Sequence, residues 1–189
     1  MRGNIAYPVL DENGDVLTWF GRDPAFEEKH RQWEAVGNQD REPEKFHFVK
    51  GFHRGLELFG QQRSRLHEPG YRERLATLGL IVVEGPNDVI AVDRLGVPAV
   101  GLLSNILTRD HATKLTRWAK LLARNRIVLL LDCDAPGESG AKEALWLLAQ
   151  KCDVRHGWSS TMLGGEFRDR QPESLAADDW TALTEHWKR

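Results

Sequence analysis

Cysteine is scarce in this sequence: Cys133 and Cys152 are the only two, and neither has the spacing or the histidine company of a zinc site or a disulfide framework. No zinc is expected, and both thiols are expected to be free in a reducing compartment. No apolar run approaches the roughly 18 residues of a membrane span, and the opening Met1-Arg2-Gly3-Asn4 lacks the apolar core of a signal peptide. The expectation is a cytoplasmic protein with no membrane partner. Net charge is nearly absent too, at -2 from 26 Lys and Arg against 28 Asp and Glu. That excludes a chain coated in positive charge, so any nucleic-acid contact must come from local patches. Two exist: Lys45 to Thr77 has seven basic residues against three acidic, and Arg109 to Arg126 has six against Asp110 alone. Taken alone, such stretches read first as solvated faces.

What is present, 41% hydrophobic and 29% charged residues in 189, suits a globular chain of one domain or two small ones. Ile5 to Leu10 and Val16 to Phe20 are apolar about the turn cluster Asp11-Glu12-Asn13-Gly14-Asp15, which predicts a hairpin ended by Gly21-Arg22-Asp23-Pro24. The polar stretch from Glu27 to Glu44 predicts a short helix and then an exposed loop. Phe46 and Phe48 alternate about His47 as in a short strand, and Gly51 to Gly60 reads as a turn followed by a helical or irregular piece.

From Leu80 the pattern changes to apolar strands alternating with amphipathic helices. Leu80 to Val83, Val97 to Leu102 and Ile127 to Leu131 are the strands, with a fourth near Val154. The helices between them are predicted to start at an Asn87 cap, at a Thr108 cap and at Gly137. The second should bury Ala112, Leu115, Ala119 and Leu122 and turn Lys114, Arg117, Lys120 and Arg124 to solvent. The third, Gly137 to Gln150, should bury Ala141, Ala144, Leu145 and Leu148. Strands apolar on both faces and separated by helices imply a parallel sheet covered on both sides.

Ligand sites of such sheets lie at the carboxyl ends of the strands, where Glu84 and Asp132 fall. Asp132 and Asp134 are two apart, so in extended chain they point to one side and can share a hard cation such as magnesium. Asp88 lies in the first turn of the helix after Glu84-Gly85, close enough to join them. Gly85 and Gly137 leave space for backbone to approach phosphate. Acids end strands often, because they favour turns and helix starts. It is the pair of sets, Glu84-Gly85-Pro86-Asn87-Asp88 and Asp132-Cys133-Asp134-Ala135-Pro136-Gly137, each after an apolar strand, that points to function.

An apolar strand with Glu-Gly-x-x-Asp and then an apolar strand with Asp-x-Asp-x-x-Gly resembles the Toprim domain shared by bacterial primases, topoisomerases and certain nucleases. The catalytic, RNA-polymerizing core of bacterial primases is the branch most similar, through Gly21-Arg22, Lys45-Phe46, and Phe52-His53-Arg54-Gly55 leading to Leu58-Phe59-Gly60. Ser104-Asn105 stands where that branch usually has Gly-Thr, Cys133 replaces a common glycine and Pro136 a common alanine. The resemblance implies an α/β fold: a Toprim-like parallel sheet flanked by helices over 78–160, a small mixed α/β N-terminal subdomain over 1–77, and an acidic, helical extension over 161–189. It implies catalytic roles for Glu84, Asp132 and Asp134, which with Asp88 and Asp169 would hold Mg2+ or Mn2+. Arg22, Lys45 and Arg54 would contact nucleoside triphosphate or template, whereas His53 is expected to be a satisfied structural histidine.

The implied activity is synthesis of RNA primers on single-stranded DNA, in a basic groove between the two parts. A helicase or a zinc-binding module on another chain is an expected partner. The alternatives are a Toprim nuclease using the same acids and a non-catalytic nucleic-acid-binding module. A topoisomerase ranks last, since Tyr7 and Tyr71 are the only tyrosines.

Overall fold

The computed structural model describes residues 3–37 and 41–188, and part of the loop expected before Glu44 lies outside them. The chain divides into two compact units, Met1–Phe52 and His53–Arg189. The divisions expected after residues 77 and 160 both fall inside the second unit, because Leu58, Leu66, Leu75 and the C-terminal tryptophans share their cores with the parallel sheet.

In the first unit, β1 (Ile5–Leu10), β2 (Val16–Arg22) and β3 (Phe46–Phe48) form an antiparallel sheet in that order, with α1 (Phe26–Ala35) between β2 and β3. The hairpin turn closes because Asp11 Oδ1 accepts from the N–H groups of Asn13, Gly14 and Asp15 at 2.8–2.9 Å while Gly14 takes φ +97°. Gly21 and Arg22 do not end the hairpin as expected: they stay in β2 and pair with His47 and Phe46 of β3. Phe20 is fully buried among Tyr7 and Phe48, with ring centroids 5.2 and 5.0 Å away.

The second unit is built on four parallel strands, β4 (Leu80–Val83), β5 (Ala99–Gly101), β6 (Arg126–Leu129) and β7 (Asp153–His156), in the order β5-β4-β6-β7. Alternate residues of β4 enter different cores. Leu80 and Val82 meet Leu115, Ala119 and Leu122 of α5 (Arg109–Leu122) and Ala141, Ala144 and Leu148 of α6 (Ala135–Leu148). Ile81 and Val83 meet Val89 and Val92 of α4 (Pro86–Arg94), Phe167, and Trp180, Leu183 and Trp187 of α7 (Ala177–Lys188). All four β4 residues are fully buried, each worth about 1.5–3 kcal/mol against exposure.

Two helices, α2 (Arg63–Leu66) and α3 (Pro69–Leu78), precede β4. The helix starts differ from expectation. α4 is capped at Gly85, whose N–H donates to Asp88 Oδ2 at 2.9 Å, instead of at Asn87. α6 begins two residues early, because Asp134 Oδ1 accepts from Gly137 N–H at 2.8 Å. Lys114 does not face solvent: its Nζ donates to Glu57 Oε2 at 2.6 Å. Among the described residues no helix is long and apolar enough to cross a membrane.

Candidate functional site

The chain runs from β4 outward to β5 and then back across to β6 on the other side of β4. The strand order therefore reverses between β4 and β6, and loops leaving their carboxyl ends diverge to open a crevice. Glu84 is the first residue after β4, and Asp132 stands three residues beyond β6. They meet directly: Asp132 N–H donates to Glu84 Oε1 at 3.1 Å.

Asp134 follows as the α6 cap, and Asp88 as the third residue of α4, 6% exposed. Burial pushes the Glu84 carboxyl up to about 7, the Asp132 N–H opposes that rise, and the charges of Asp134 and Asp88 add to it. The structure thus brings Glu84, Asp88, Asp132 and Asp134 together. Cys133 lies buried between the two aspartates, its thiol pushed up to about 11 chiefly by burial; it is a packed thiol and not a nucleophile.

Gly137 has a packing role beside the phosphate approach expected of it. A Cβ there would overlap the Asp132 carbonyl oxygen and come within 3.0 Å of Glu84 Oε1, so its absence lets the first turn of α6 press onto the acids. A Cβ at Gly140 would likewise overlap the carbonyl oxygen of Asn105, in the Ser104-Asn105 turn.

Two contacts had no signal in the sequence. Gln171 Nε2 donates to Asp132 Oδ2 at 2.9 Å, and Glu173 N–H donates to Asp88 Oδ1 at 3.1 Å. Both come from the segment between β7 and α7, and only long-range pairing reveals them. Asp169 is exposed, at φ +58°, and its backbone N–H donates to the Cys133 carbonyl at 2.8 Å. It therefore stands beside the acid segment, although the charges felt by Glu84 are those of Asp134 and Asp88.

Arg22 and Lys45 share one end of the antiparallel sheet, since Arg22 pairs with Phe46 and Asp23 N–H donates to the Lys45 carbonyl. Arg22 also pairs with Glu27 at 3.2 Å. Arg54 belongs to the second unit, exposed, with Nη1 3.4 Å from the Leu103 carbonyl oxygen beyond β5. Its turn is fixed by Gly55, where a Cβ would strike Thr108 at 2.8 Å, and by Thr108 Oγ1, which donates to the Gly55 carbonyl at 2.5 Å. His53 is exposed, contrary to expectation. The satisfied structural histidine is His111, fully buried, with Nε2 at 3.1 and 3.0 Å from the carbonyl oxygens of Arg54 and Glu57. Arg65, counted in the basic stretch, is spent internally on Asp93 and on the Gly60 and Ala99 carbonyls.

As they stand, no three His, Cys, Asp or Glu among the described residues converge tightly enough to be a finished metal cage. The donor chemistry nonetheless fits a hard divalent cation. The acids offer only oxygen, and a cation would offset both the burial that chiefly holds Glu84 near 7 and the smaller repulsion from Asp134 and Asp88. Asp88 is the exception, because both its oxygens already accept backbone N–H groups.

Residues 79–158 match the model of the Toprim domain. A DNA primase of Pseudomonas putida is 26% identical over 145 residues, which are 76% of this chain and 18% of that protein. Among solved structures, a DnaG catalytic core superposes with a TM-score of 0.66 at 22% identity, covering 97% of this chain and 53% of that one. A DnaG primase catalytic domain bound to ssDNA gives 0.65 at 23%, covering 97% and 51%. The chain spans under a fifth of the curated relative and about half of these solved chains. The parallel sheet and its acids lie within residues 79–158, which match the Toprim domain, in a fold shared with DnaG primase catalytic cores.

Proposed function

We propose that this chain is the catalytic part of a primase-type nucleotidyltransferase, making RNA primers on single-stranded DNA. The observation that carries the reading is the meeting of Glu84 and Asp132 at the switch point, with Asp134 on the adjoining helix start. The similarity to a DNA primase and to a DnaG domain bound to ssDNA supports it. Glu84, Asp132 and Asp134 would hold Mg2+ or Mn2+, which supplies Lewis-acid charge to a phosphoryl centre. Asp88 holds the start of α4 and contributes charge to the cluster.

The reaction joins a primer 3′-oxygen to the α-phosphorus of an incoming ribonucleoside triphosphate. The bond to the bridging oxygen breaks, and pyrophosphate leaves. Where Asp132 and Asp134 alone hold the cation, Glu84, whose carboxyl burial raises to about 7 in the metal-free site, is the group placed to accept the 3′-hydroxyl proton. Arg54, presented by a turn tied to α5, and Arg22 with Lys45 on the first unit supply cationic contacts for triphosphate or template. A helicase or zinc-binding module on another chain remains part of this reading as the means of delivering template.

The test incubates the protein with single-stranded DNA, labelled ribonucleotides and Mg2+ or Mn2+, beside Asp132→Ala and Glu84→Ala. Product ladders made by the wild type and lost in both variants are expected. Shortening of the template would mean a nuclease. Neither activity, with no metal-dependent binding of DNA, would leave a binding module.

A further inference from the structure

We infer that Gln171 is a positioning residue for the acid site: its amide fixes the Asp132 carboxylate in the orientation that takes the cation. This rests on the proposed metal-binding role of Asp132. Gln171 Nε2 donates to Asp132 Oδ2 at 2.9 Å across 39 residues of sequence, while the Asp132 backbone is tied to Glu84 Oε1. A carboxylate gripped through one oxygen cannot rotate about its last side-chain bond without breaking that hydrogen bond. A neutral amide provides the grip without a positive charge that would compete with a cation for the acids.

Gln171 is itself held on every side. Just before it, Arg170 accepts from Cys133 N–H through its carbonyl at 2.8 Å, and Asp169 N–H donates back to the Cys133 carbonyl. The Arg170 guanidinium is bidentate to Asp179 of α7, at 3.2 and 2.7 Å. The Gln171 carbonyl accepts from Ser174 N–H at 2.9 Å and from Ser174 Oγ at 2.7 Å. Pro172 is buried next to it, and Glu173 N–H caps Asp88. The segment is anchored to α7, to the loop that carries Asp132 and Asp134, and to α4, so the amide arrives pre-oriented. Among the described residues, the backbone bonds and buried Pro172 hold the segment independently of the amide.

The test measures Mn2+ binding to the full chain by calorimetry at pH 8, for wild type, Gln171→Met, which keeps the length and removes the donor, and Gln171→Glu, which turns the donor into an acceptor facing Asp132. Melting in EDTA controls for folding. Both variants are expected to bind Mn2+ about tenfold more weakly than wild type, as loss of an outer partner of a metal ligand generally causes, with cooperative melting in EDTA retained. Wild-type affinity in both variants would overturn the positioning role while leaving the acid site intact. Tighter binding by Gln171→Glu would also overturn it, marking position 171 as a ligand slot. Absence of Mn2+ binding in the wild type would sink the acid-site reading and this inference with it. Should Gln171→Met fail to fold, the near-isosteric Gln171→Glu alone decides.

Discussion

Asp134 caps α6 through Oδ1 and also places a negative charge near Glu84, and substitution separates the two contributions. Asn caps a helix about as well as Asp, whereas Ala costs about 1 kcal/mol. Asp134→Asn is therefore expected to match wild-type thermal stability in EDTA yet lose Mn2+ affinity and primer synthesis; Asp134→Ala should lose stability as well. Equal activity in Asp134→Asn would remove Asp134 from the metal set. His111 gives a pH signature instead. Both partners of its Nε2 are carbonyl oxygens, so that nitrogen carries the proton, and Nδ1 faces Thr108 N–H. Burial holds its pKa below the usual 6.5, against those two carbonyl bonds, with the charges of Lys114 and Asp110 acting in opposite senses. As pH falls below about 6.5 the unfolded chain takes up a proton before the folded one, so stability present above 6.5 is lost toward the depressed folded value. Melting scans from pH 7.5 to 5.5 should show this loss in wild type and a shallower one in His111→Gln; parallel slopes would place the pH sensitivity elsewhere. Glu84, Asp132 and Asp134 were legible because strand ends and an alternating Asp pair are local patterns. Gln171, Glu173 and His111 were not, because they act across 39, 85 and more than 50 residues, distances at which a single sequence carries no spacing rule.

The start of α6 shows how an element is shaped by the site it serves. Replacing Gly137 by Ala would ordinarily favour a helix by about 1 kcal/mol, but here the new Cβ overlaps the Asp132 carbonyl oxygen, which is backbone and cannot swing aside. Overpacking wins: Gly137→Ala is expected to destabilise by about 2 kcal/mol net or more and to weaken Mn2+ binding by displacing the acids. Urea melts of the two proteins check the first, and calorimetry the second; an Ala variant as stable as wild type would mean that α6 can shift freely. β4, β5, β6 and the helices α4, α5 and α6 were readable, since apolar runs and a 3.6-residue apolar stripe are strong signals, whereas β7, with Val154 as its one apolar residue, was marked only by its place after α6. α3 was not. It buries only Leu75, so no stripe marks it, and its evidence is confined to Glu68 accepting from Tyr71 N–H with Pro69 at the first turn. The Gly85 cap was misread as Asn87 because the capping acceptor is a side chain three residues inside the helix, where an acid reads equally well as a site residue.

At the scale of the molecule, the two buried clusters of the second unit contain no residue before Leu58, and they cover both faces of the parallel sheet. The unit thus has its own buried cores, including the α7 tryptophans, and contains the segment that carries Gln171. A fragment of residues 53–189 is expected to unfold cooperatively within a few degrees of the full chain's transition and to bind Mn2+ with the same affinity, since Glu84, Asp132, Asp134 and Gln171 all lie inside it. Primer synthesis should nonetheless fail, because Arg22 and Lys45 leave with the first unit, and steering of a polyanion depends on charge that the acid site cannot supply. Scanning calorimetry, Mn2+ titration and the primer assay on the fragment check these in turn. A fragment that folds and binds Mn2+ but still makes ladders would confine catalysis to the second unit and make Arg22 and Lys45 ordinary surface charges. One that melts without cooperativity would show that the first unit supplies stability as well as charge.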